Sequence, residues 1–183
     1  SKNNKLNDLD GRGWITRTKS VFFSNPPPRD KLKASHPATF AESDVEELIK
    51  FFTKKDGHVF DPFVGVASSI IAALNLNRKC TGVELTKKWI DVGKKRIRKT
   101  FGKISINQYV NKIKYCKVSL IHSDIEEFFE HLNEPLFDFI ITSPPYWNIL
   151  KNGSHKIKKE RLSRGLETRY SDNSKDLGNI ESY

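Results

Sequence analysis

The sequence has 183 residues, a formal net charge of +10 at pH 7 and a pI near 9.6. This length suffices for one domain with a core, and the 37% of hydrophobic residues is low for a compact domain but outside the disordered range. The surplus of Lys and Arg favours a polyanionic partner, nucleic acid before membrane, although a solvated basic face would give the same composition. No apolar stretch approaches the ~20 residues of a membrane span and no signal-peptide core is present, so we expect a cytoplasmic protein.

The two cysteines predict no metal site. Cys80 and Cys116 belong to no Cys-x-x-Cys pair, and no Cys/His cluster has zinc spacing. We expect two reduced thiols and no metal, with a structural disulfide as the less favoured alternative.

The N-terminal part of the chain, residues 1–35, is polar and contains three consecutive prolines, Pro26 to Pro28. Because proline fixes φ and removes a backbone donor, we predict an extended connector here. The stretch His36-Pro37-Ala38-Thr39-Phe40 follows, and then a helix that Ser43 caps, with Glu46 three residues later completing a capping box.

Strands and helices alternate in the next hundred residues. Predicted strands are His58–Asp61, Lys79–Glu84, Cys116–His122 and Phe137–Thr142; predicted helices begin near Ser68, run from Lys87 to about Phe101, and run from Ile125 to Leu132. This alternation predicts crossover connections and therefore an α/β fold with a parallel sheet.

Polar groups follow each predicted strand, at the edge where an open parallel sheet binds its ligands. Asp61 begins a loop that reaches Gly65, Glu84 ends the second strand, and Asp124 follows the third. Three acidic residues on one edge indicate a nucleoside-type ligand. Taken singly, each has a plainer interpretation: a tight turn, a surface glutamate and a helix N-cap.

The segment Ser143-Pro144-Pro145-Tyr146-Trp147 follows the fourth predicted strand and is the most specific motif in the chain. Two prolines stiffen the backbone there, so that a serine hydroxyl and a proline carbonyl can face one amino group. The tyrosine supplies a flat face for stacking a base. The alternative is a strand-terminating turn with an aromatic plug.

At these residues the sequence resembles the amino-methyltransferases that modify cytosine N4 or adenine N6 in DNA. Asp61-Pro62-Phe63-Val64-Gly65 resembles their cofactor loop, DPFxGxGT, and residues 142–147 resemble their catalytic motif, [S/D/N]PPY. The resemblance spans roughly residues 7 to 183 and implies an α/β, Rossmann-like fold of S-adenosylmethionine-dependent methyltransferases, with a mainly parallel sheet that is incomplete in this chain.

The resemblance also implies a role for each matching residue. Ser143, Pro144, Pro145 and Tyr146 would be catalytic, with Ser143 and the Pro144 carbonyl accepting hydrogen bonds from the target amino group and Tyr146 stacking on the extruded base. The cofactor, S-adenosylmethionine, would be bound by His36, Pro37, Asp61, Pro62, Phe63, Gly65, Ser68, Glu84, Leu85, Asp124 and Ile125. DNA would be contacted by Trp147, Lys151, Lys156, Lys158, Lys159, Arg161 and Arg164, unless this basic run is merely a solvated loop.

Three features depart from the family pattern. Ala67 stands where the cofactor loop usually has a second glycine, and the cofactor loop precedes the catalytic motif, as in a rearranged subgroup. Only four strands are predicted where the family's sheet has seven. We therefore expect a methyltransferase core at 36–150, followed at 151–183 by a basic loop and the start of a missing remainder.

The expected function is methyl transfer from S-adenosylmethionine to N4 of a flipped-out cytosine in DNA, since serine before Pro-Pro-Tyr is a tendency of cytosine enzymes. Adenine-N6 methylation is the runner-up. A fragment that binds nucleic acid or a partner without catalysis is the alternative from another class, and RNA or protein methylation stays open. So do the recognition site, the oligomeric state and a companion restriction endonuclease.

Overall fold

A computed structural model describes residues 4–19, 21–133, 137–145 and 155–179 of the chain. The described helices, in chain order, are α1 (Gly11–Arg17), α2 (Lys31–Ser35), α3 (Glu42–Phe52), α4 (Ser68–Asn75), α5 (Lys87–Phe101), α6 (Ile125–Glu130) and α7 (His155–Ser163). The strands are β1 (His58–Asp61), β2 (Lys79–Glu84), β3 (Val118–His122) and β4 (Phe139–Ile140). Two 3-10 helices, Val110–Tyr115 and Leu177–Asn179, complete the described elements.

The four strands form one sheet in the order β3-β2-β1-β4, and every pair is parallel. The chain therefore moves outward in one direction from β1 to β3 and then returns to the other side of β1 to form β4. The strand order reverses between β1 and β4, which is where open α/β sheets form a crevice. The prediction of an α/β fold with a parallel sheet is confirmed.

Apolar side chains cover both faces of the sheet, because successive residues of a buried parallel strand point to opposite sides. On one face, Val59, Cys80 and Leu120 pack in a cluster with residues of α3, α4 and α5. On the other face, Phe60 and Val83 pack with residues of α6 and of the first 3-10 helix. The result is a three-layer α/β/α arrangement, and both cysteines are free thiols.

The N-terminal part differs from the predicted extended connector. Only residues 21–29 are extended and exposed, whereas α1 and α2 are helical because Asp10 and Asp30 cap their first turns. The side chain of Asn7 is buried and donates to the Phe51 carbonyl oxygen at 2.5 Å, which fastens the segment to the end of α3. The prediction extended the effect of the three prolines over all of residues 1–35, whereas the capping aspartates on either side of that run start helices locally.

Other boundaries also differ. The predicted Ser43 cap is wrong, because α3 begins at Glu42 after Ala41 and has no side-chain cap hydrogen bond. Glu42 instead forms ion pairs with Lys33 and Arg96. The predicted third and fourth strands shorten to Val118–His122 and Phe139–Ile140. None of the described helices is long and apolar enough to cross a membrane.

The C-terminal part is more ordered than the predicted basic loop. Residues 155–163 form α7, and residues 166–179 fold back against the start of α5. We name residues 166–179 the C-terminal strap. Trp89 Nε1 donates to the Tyr170 carbonyl oxygen at 2.8 Å, and Arg161 Nε donates to the Glu167 carbonyl oxygen at 2.7 Å. Lys88 also forms an ion pair with Glu167.

Candidate functional site

A cavity of about 330 Å³ opens at the carboxyl edge of the sheet. Its floor is formed by the segments that follow β1, β2, β3 and β4, and its walls by the 36–40 stretch and the strap. Because β1 and β4 are parallel neighbours, the loop after Asp61 and the segment after Ile141 necessarily emerge side by side. This shared edge brings motifs that are distant in sequence into one site.

Most of the predicted site residues line this cavity. Among the predicted cofactor-binding residues, the lining ones are His36, Asp61, Pro62, Phe63, Gly65, Ser68, Glu84, Leu85, Asp124 and Ile125. Pro37 is half-buried but is absent from the lining. From the predicted catalytic motif, Ser143 and Pro145 line the cavity, and Pro144 is exposed between them. Tyr146 and Trp147 lie outside the described residues.

Asp61 is a buried carboxylate at the end of β1. It is 1% exposed; Oδ1 accepts a hydrogen bond from the Phe63 backbone N–H at 3.0 Å, and Oδ2 accepts one from Ser69 Oγ at 2.6 Å. Within the described part of the chain it forms no ion pair. Burial raises the pKa of Asp61 to about 6, because desolvation disfavours its charged form. A cationic group in the cavity would offset the free-energy cost of burying the ionised carboxylate.

The carboxylate of Glu84 is held in one orientation by two backbone groups. Oε2 accepts from Gly65 N–H at 3.1 Å and Oε1 from Thr86 N–H at 2.7 Å. Burial raises the pKa of Glu84 to about 7, with a smaller contribution from the nearby charge of Asp176. A carboxylate has about four acceptor positions, so Glu84 retains the capacity to accept from further donors.

The loop at 61–65, which resembles the family's cofactor loop, is closely packed at two glycines, one in the loop and one on β2. Gly65 has φ +51°, and an added Cβ would lie 3.2 Å from His36 Nε2. Gly82 of β2 permits the loop to lie flat on the sheet, since a Cβ there would approach Val64 to 2.6 Å. The loop therefore lies tightly against His36 on one side and against β2, which carries Glu84, on the other.

Ala67, the departure from the family motif, occupies a left-handed conformation with φ +68°. Such a conformation normally favours glycine. Its methyl group packs near Gly93 of α5, where an added Cβ would lie 3.2 Å from it. The missing glycine of the loop is therefore matched by a glycine on the facing helix, which leaves space for the alanine.

Asp124 caps α6 and also faces the cavity, so its two interpretations from the sequence are compatible. Oδ1 accepts from the Glu126 backbone N–H at 2.9 Å, and Oδ2 lies 3.5 Å from Lys175 Nζ of the strap. This ion pair joins the segment after β3 to the C-terminal strap across the cavity.

One wall of the cavity is aromatic. His36 contacts Trp89 edge-to-face with ring centroids 4.7 Å apart, and Tyr170 lies 5.8 Å from the His36 ring. Burial lowers the pKa of His36 to about 4, so its imidazole is neutral at physiological pH. This wall offers apolar and polarisable surface rather than charge.

Sequence reasoning missed the strap as part of the site. Besides Trp89 and Thr86, the lining includes Tyr170, Ser174, Lys175, Asp176 and Leu177. The strap has few apolar positions, so hydrophobic periodicity could not place it. Asp176 followed by Leu177-Gly178 was a usable turn signal, but nothing local indicates which surface such a turn will cover.

The predicted DNA-contacting residues are only partly described. Lys151 and the side chain of Lys156 lie outside the described residues. Lys159 is exposed, Lys158 half-buried, and Arg164 is paired with Glu160 at 2.9 Å. Arg161 donates to the carbonyl oxygens of Glu167 and Ser35, so it holds the strap. A guanidinium used in this way has fewer donors left for phosphate.

Comparison with known proteins identifies the family. The sequence model of the N6/N4 methyltransferases, described as DNA methylase, matches residues 2–95, more than half of the chain. The chain therefore belongs to this DNA methylase family.

Several curated relatives are similar over parts of the chain. The orphan methyltransferase M.BamHII of Bacillus amyloliquefaciens is 39% identical over 70 residues, which is 38% of this chain and 26% of the relative. The type II methyltransferase M.BglI of Bacillus subtilis is 30% identical over 111 residues, covering 61% of this chain and 30% of the relative. M.HpaI of Haemophilus parainfluenzae is 26% identical over 81% of this chain and 42% of its own. The chain thus spans less than half the length of these relatives.

A solved structure of a putative DNA modification methylase from Thermus thermophilus, complexed with S-adenosyl-L-methionine, is also similar. It is 20% identical, covers 63% of this chain and 39% of its own, and has a TM-score of 0.44.

Proposed function

We propose that the protein transfers a methyl group from S-adenosylmethionine to the exocyclic N4 of a cytosine in DNA. The observation that carries this proposal is that Ser143 and Pro145 line the same cavity as Asp61, Phe63 and Glu84. A methyl donor and an acceptor amine can react only if both reach one crevice, and this cavity satisfies that condition. Membership of the DNA methylase family supports the same reaction class.

The residues present fit S-adenosylmethionine. The buried carboxylate of Asp61, which forms no ion pair with the described residues, suits a cationic ligand. The fixed carboxylate of Glu84 suits a pair of hydroxyl donors such as those of ribose. Phe63, Leu85 and Ile125 provide apolar surface for a purine ring, while Asp124 can accept a hydrogen bond from its amino group. When bound, the cofactor supplies an electrophilic methyl group on a sulfonium sulfur.

The catalytic segment prepares the acceptor. The amino nitrogen of cytosine is a weak nucleophile, because its lone pair is delocalised into the ring. Ser143 Oγ and the Pro144 carbonyl would accept its two N–H groups, which favours a pyramidal nitrogen with a localised lone pair. Positioning and fixed dipoles provide the main contributions, and the excess proton leaves to water.

The target base must leave the duplex to reach this edge of the sheet. Extrusion costs a few kcal/mol. Stacking on the aromatic ring of the motif, assigned to Tyr146, would return ~1–3 kcal/mol. The remainder would come from contacts of Lys158, Lys159 and neighbouring basic residues with phosphates, in keeping with the net charge of +10. DNA is thus the macromolecular partner in this proposal.

The test is product analysis with the full-length protein. Duplex DNA is incubated with the protein and S-adenosylmethionine carrying a labelled methyl group, digested to nucleosides, and the nucleosides are weighed. We expect labelled N4-methylcytosine, and a loss of at least about a hundredfold in rate for Ser143→Ala, because one fixed acceptor is removed from the amino group. Ser43→Ala, an exposed serine on α3, is the matched control and should retain the wild-type rate.

Other outcomes would separate the alternatives. N6-methyladenine as the sole product would replace cytosine by adenine as the target. Label in RNA or peptide but not in DNA would change the substrate class. If calorimetry detects no binding of S-adenosylmethionine and no acceptor is labelled, the fold serves as a non-catalytic binding module.

A further inference from the structure

The C-terminal strap adds the carboxylate of Asp176 to a cavity that acidic residues after the strands already line. Asp176 is 5% exposed and lines the cavity, where its charge acts on Glu84. Its carboxylate is fixed by two contacts within the strap, from the Gly178 backbone N–H at 2.9 Å and from Ser171 Oγ at 2.5 Å. The turn signal of Asp176-Leu177-Gly178 in the sequence does not indicate that Asp176 lines a cavity.

The charges that face the cavity are unequally distributed. The lining acidic residues are Asp61, Glu84, Asp124, Glu126 and Asp176, of which Glu84 is only partly ionised near pH 7 because its pKa is raised to about 7. Among the described lining residues the one lysine is Lys175, which lies 3.5 Å from Asp124 and is 65% exposed. His36 adds no positive charge, since its buried imidazole is neutral near pH 7. The cavity therefore has a negative potential that Lys175 offsets only in part.

We infer that Asp176 is a specificity residue that makes the cavity favour a cationic cofactor over its neutral by-product, with Lys175 acting in the opposite direction. This inference rests on the proposed function. S-Adenosylmethionine has a sulfonium and an ammonium group against one carboxylate, so it has a net charge of +1. S-Adenosylhomocysteine lacks the sulfonium charge and is neutral overall. The two ligands otherwise share the same groups, so a charge on the cavity wall changes the ratio of their affinities.

Calorimetric titration of both ligands into the full-length protein, at low salt and without DNA, tests the inference. The quantity of interest is the ratio of the Kd for S-adenosylmethionine to the Kd for S-adenosylhomocysteine. We expect Asp176→Asn to raise this ratio about three- to tenfold, as removal of one unit charge at short range from a partly buried cation would do. Lys175→Gln should lower it about twofold, because that ammonium is largely solvated.

The matched control is Asp172→Asn. Asp172 belongs to the same strap but does not line the cavity, and it is 73% exposed in an ion pair with Arg169. It should leave the ratio unchanged. If Asp176→Asn does not fold, Lys175→Gln still tests the inference, because its exposed side chain tolerates substitution. A ratio of Kd values that Lys175→Gln does not lower would then overturn the inference.

Two outcomes have different meanings. Suppose that the wild-type protein binds both ligands and that each variant changes the two Kd values by the same factor. The charges of the strap then do not discriminate between the ligands, and the inference is overturned. If the wild-type protein binds neither ligand, the proposed function fails at its cofactor.

Discussion

At the scale of the residue, Glu84 could be an ordinary surface glutamate by its sequence, but in the structure its carboxylate is a hydrogen-bond acceptor held in one orientation. Its two oxygens accept from the backbone N–H groups of Gly65 and Thr86, so the carboxylate has little rotational freedom. Its burial raises its pKa to about 7, so the unliganded site exchanges a proton near neutrality. Hydroxyl donors favour the ionised form, which links ligand binding to the release of that proton.

We therefore expect the affinity for S-adenosylmethionine to depend on pH through Glu84. Below a pKa of about 7 the carboxyl is mostly protonated and must ionise before it accepts from both hydroxyls. Calorimetry should find binding about fourfold weaker at pH 6.5 than at pH 8.5. Glu84→Gln should weaken binding at pH 8.5 and flatten the profile, whereas Glu127→Gln, an exposed glutamate on α6, should keep it. If Glu84→Gln keeps the wild-type pH dependence of the affinity, Glu84 is not the group that causes it.

At the scale of the element, the C-terminal strap depends on a small number of contacts with α5. Trp89 is 1% exposed and its indole N–H reaches the Tyr170 carbonyl oxygen, so one side chain serves both the core and the strap. Further attachments are the ion pairs Lys88–Glu167 and Lys175–Asp124, the contacts of Arg161 and the contact of the Tyr170 ring with His36. Elements held by few buried contacts open more readily than core strands, so the cavity wall they form should respond to single substitutions.

Trp89→Phe should loosen the strap while keeping most of the core packing. The substitution removes one hydrogen bond, a loss of about 1 kcal/mol, so the strap should open about fivefold more often. Limited trypsin cleavage at Arg169, within the strap, measures this opening and should accelerate by the same factor. Trp14→Phe is the control, because Trp14 packs on Phe51, with ring centroids 5.0 Å apart, away from the strap. Equal cleavage rates in both variants would show that the indole N–H does not hold the strap.

At the scale of the whole molecule, the buried carboxyl groups of Asp61 and Glu84 lower the stability of the folded protein once they ionise. The pKa of Asp61 is raised to about 6 and that of Glu84 to about 7, so the folded protein binds protons more tightly than the unfolded chain. Stability from these groups is therefore complete below their unfolded pKa values and is lost as pH rises through about 6 to 7. The pKa values of Glu42, Glu47 and Asp30 are lowered despite burial, by hydrogen bonds and nearby cations, and these groups produce a separate loss in acid.

The free energy of unfolding, measured with urea in the absence of ligand, should fall by roughly 2 kcal/mol between pH 5 and pH 8. Asp61 and Glu84 lose about 4 kcal/mol in this window, and His36, whose pKa is lowered to about 4, offsets about 2 kcal/mol because the unfolded chain no longer gains from protonating it. Asp61→Asn should remove more than half of this fall, since the amide cannot ionise but can still accept from the Phe63 backbone N–H. Glu130→Gln, at an exposed glutamate of α6, is the control and should leave the fall unchanged. The same fall in Asp61→Asn as in the wild type would contradict the raised pKa of Asp61.

Local patterns in the sequence determined most of the sheet and the part of the site that follows it. Alternation of buried strands with amphipathic helices predicted β1, β2 and α5 within the bounds observed, because apolar periodicity reports directly on which faces are buried. The shared position of Asp61 and Glu84 at one edge of the sheet was predictable for the same reason, since they end parallel strands whose carboxyl ends must share an edge.

Only the tertiary structure decided what closes the cavity and how its charges balance. The strap has little apolar surface of its own, and it is placed by long-range contacts such as those of Trp89 and Asp124, which no local pattern encodes. The pairing of Ala67 with Gly93 is likewise visible only when α5 lies against the loop. Periodicity describes a single element, whereas the final shape of a binding site depends on which surfaces meet across the chain.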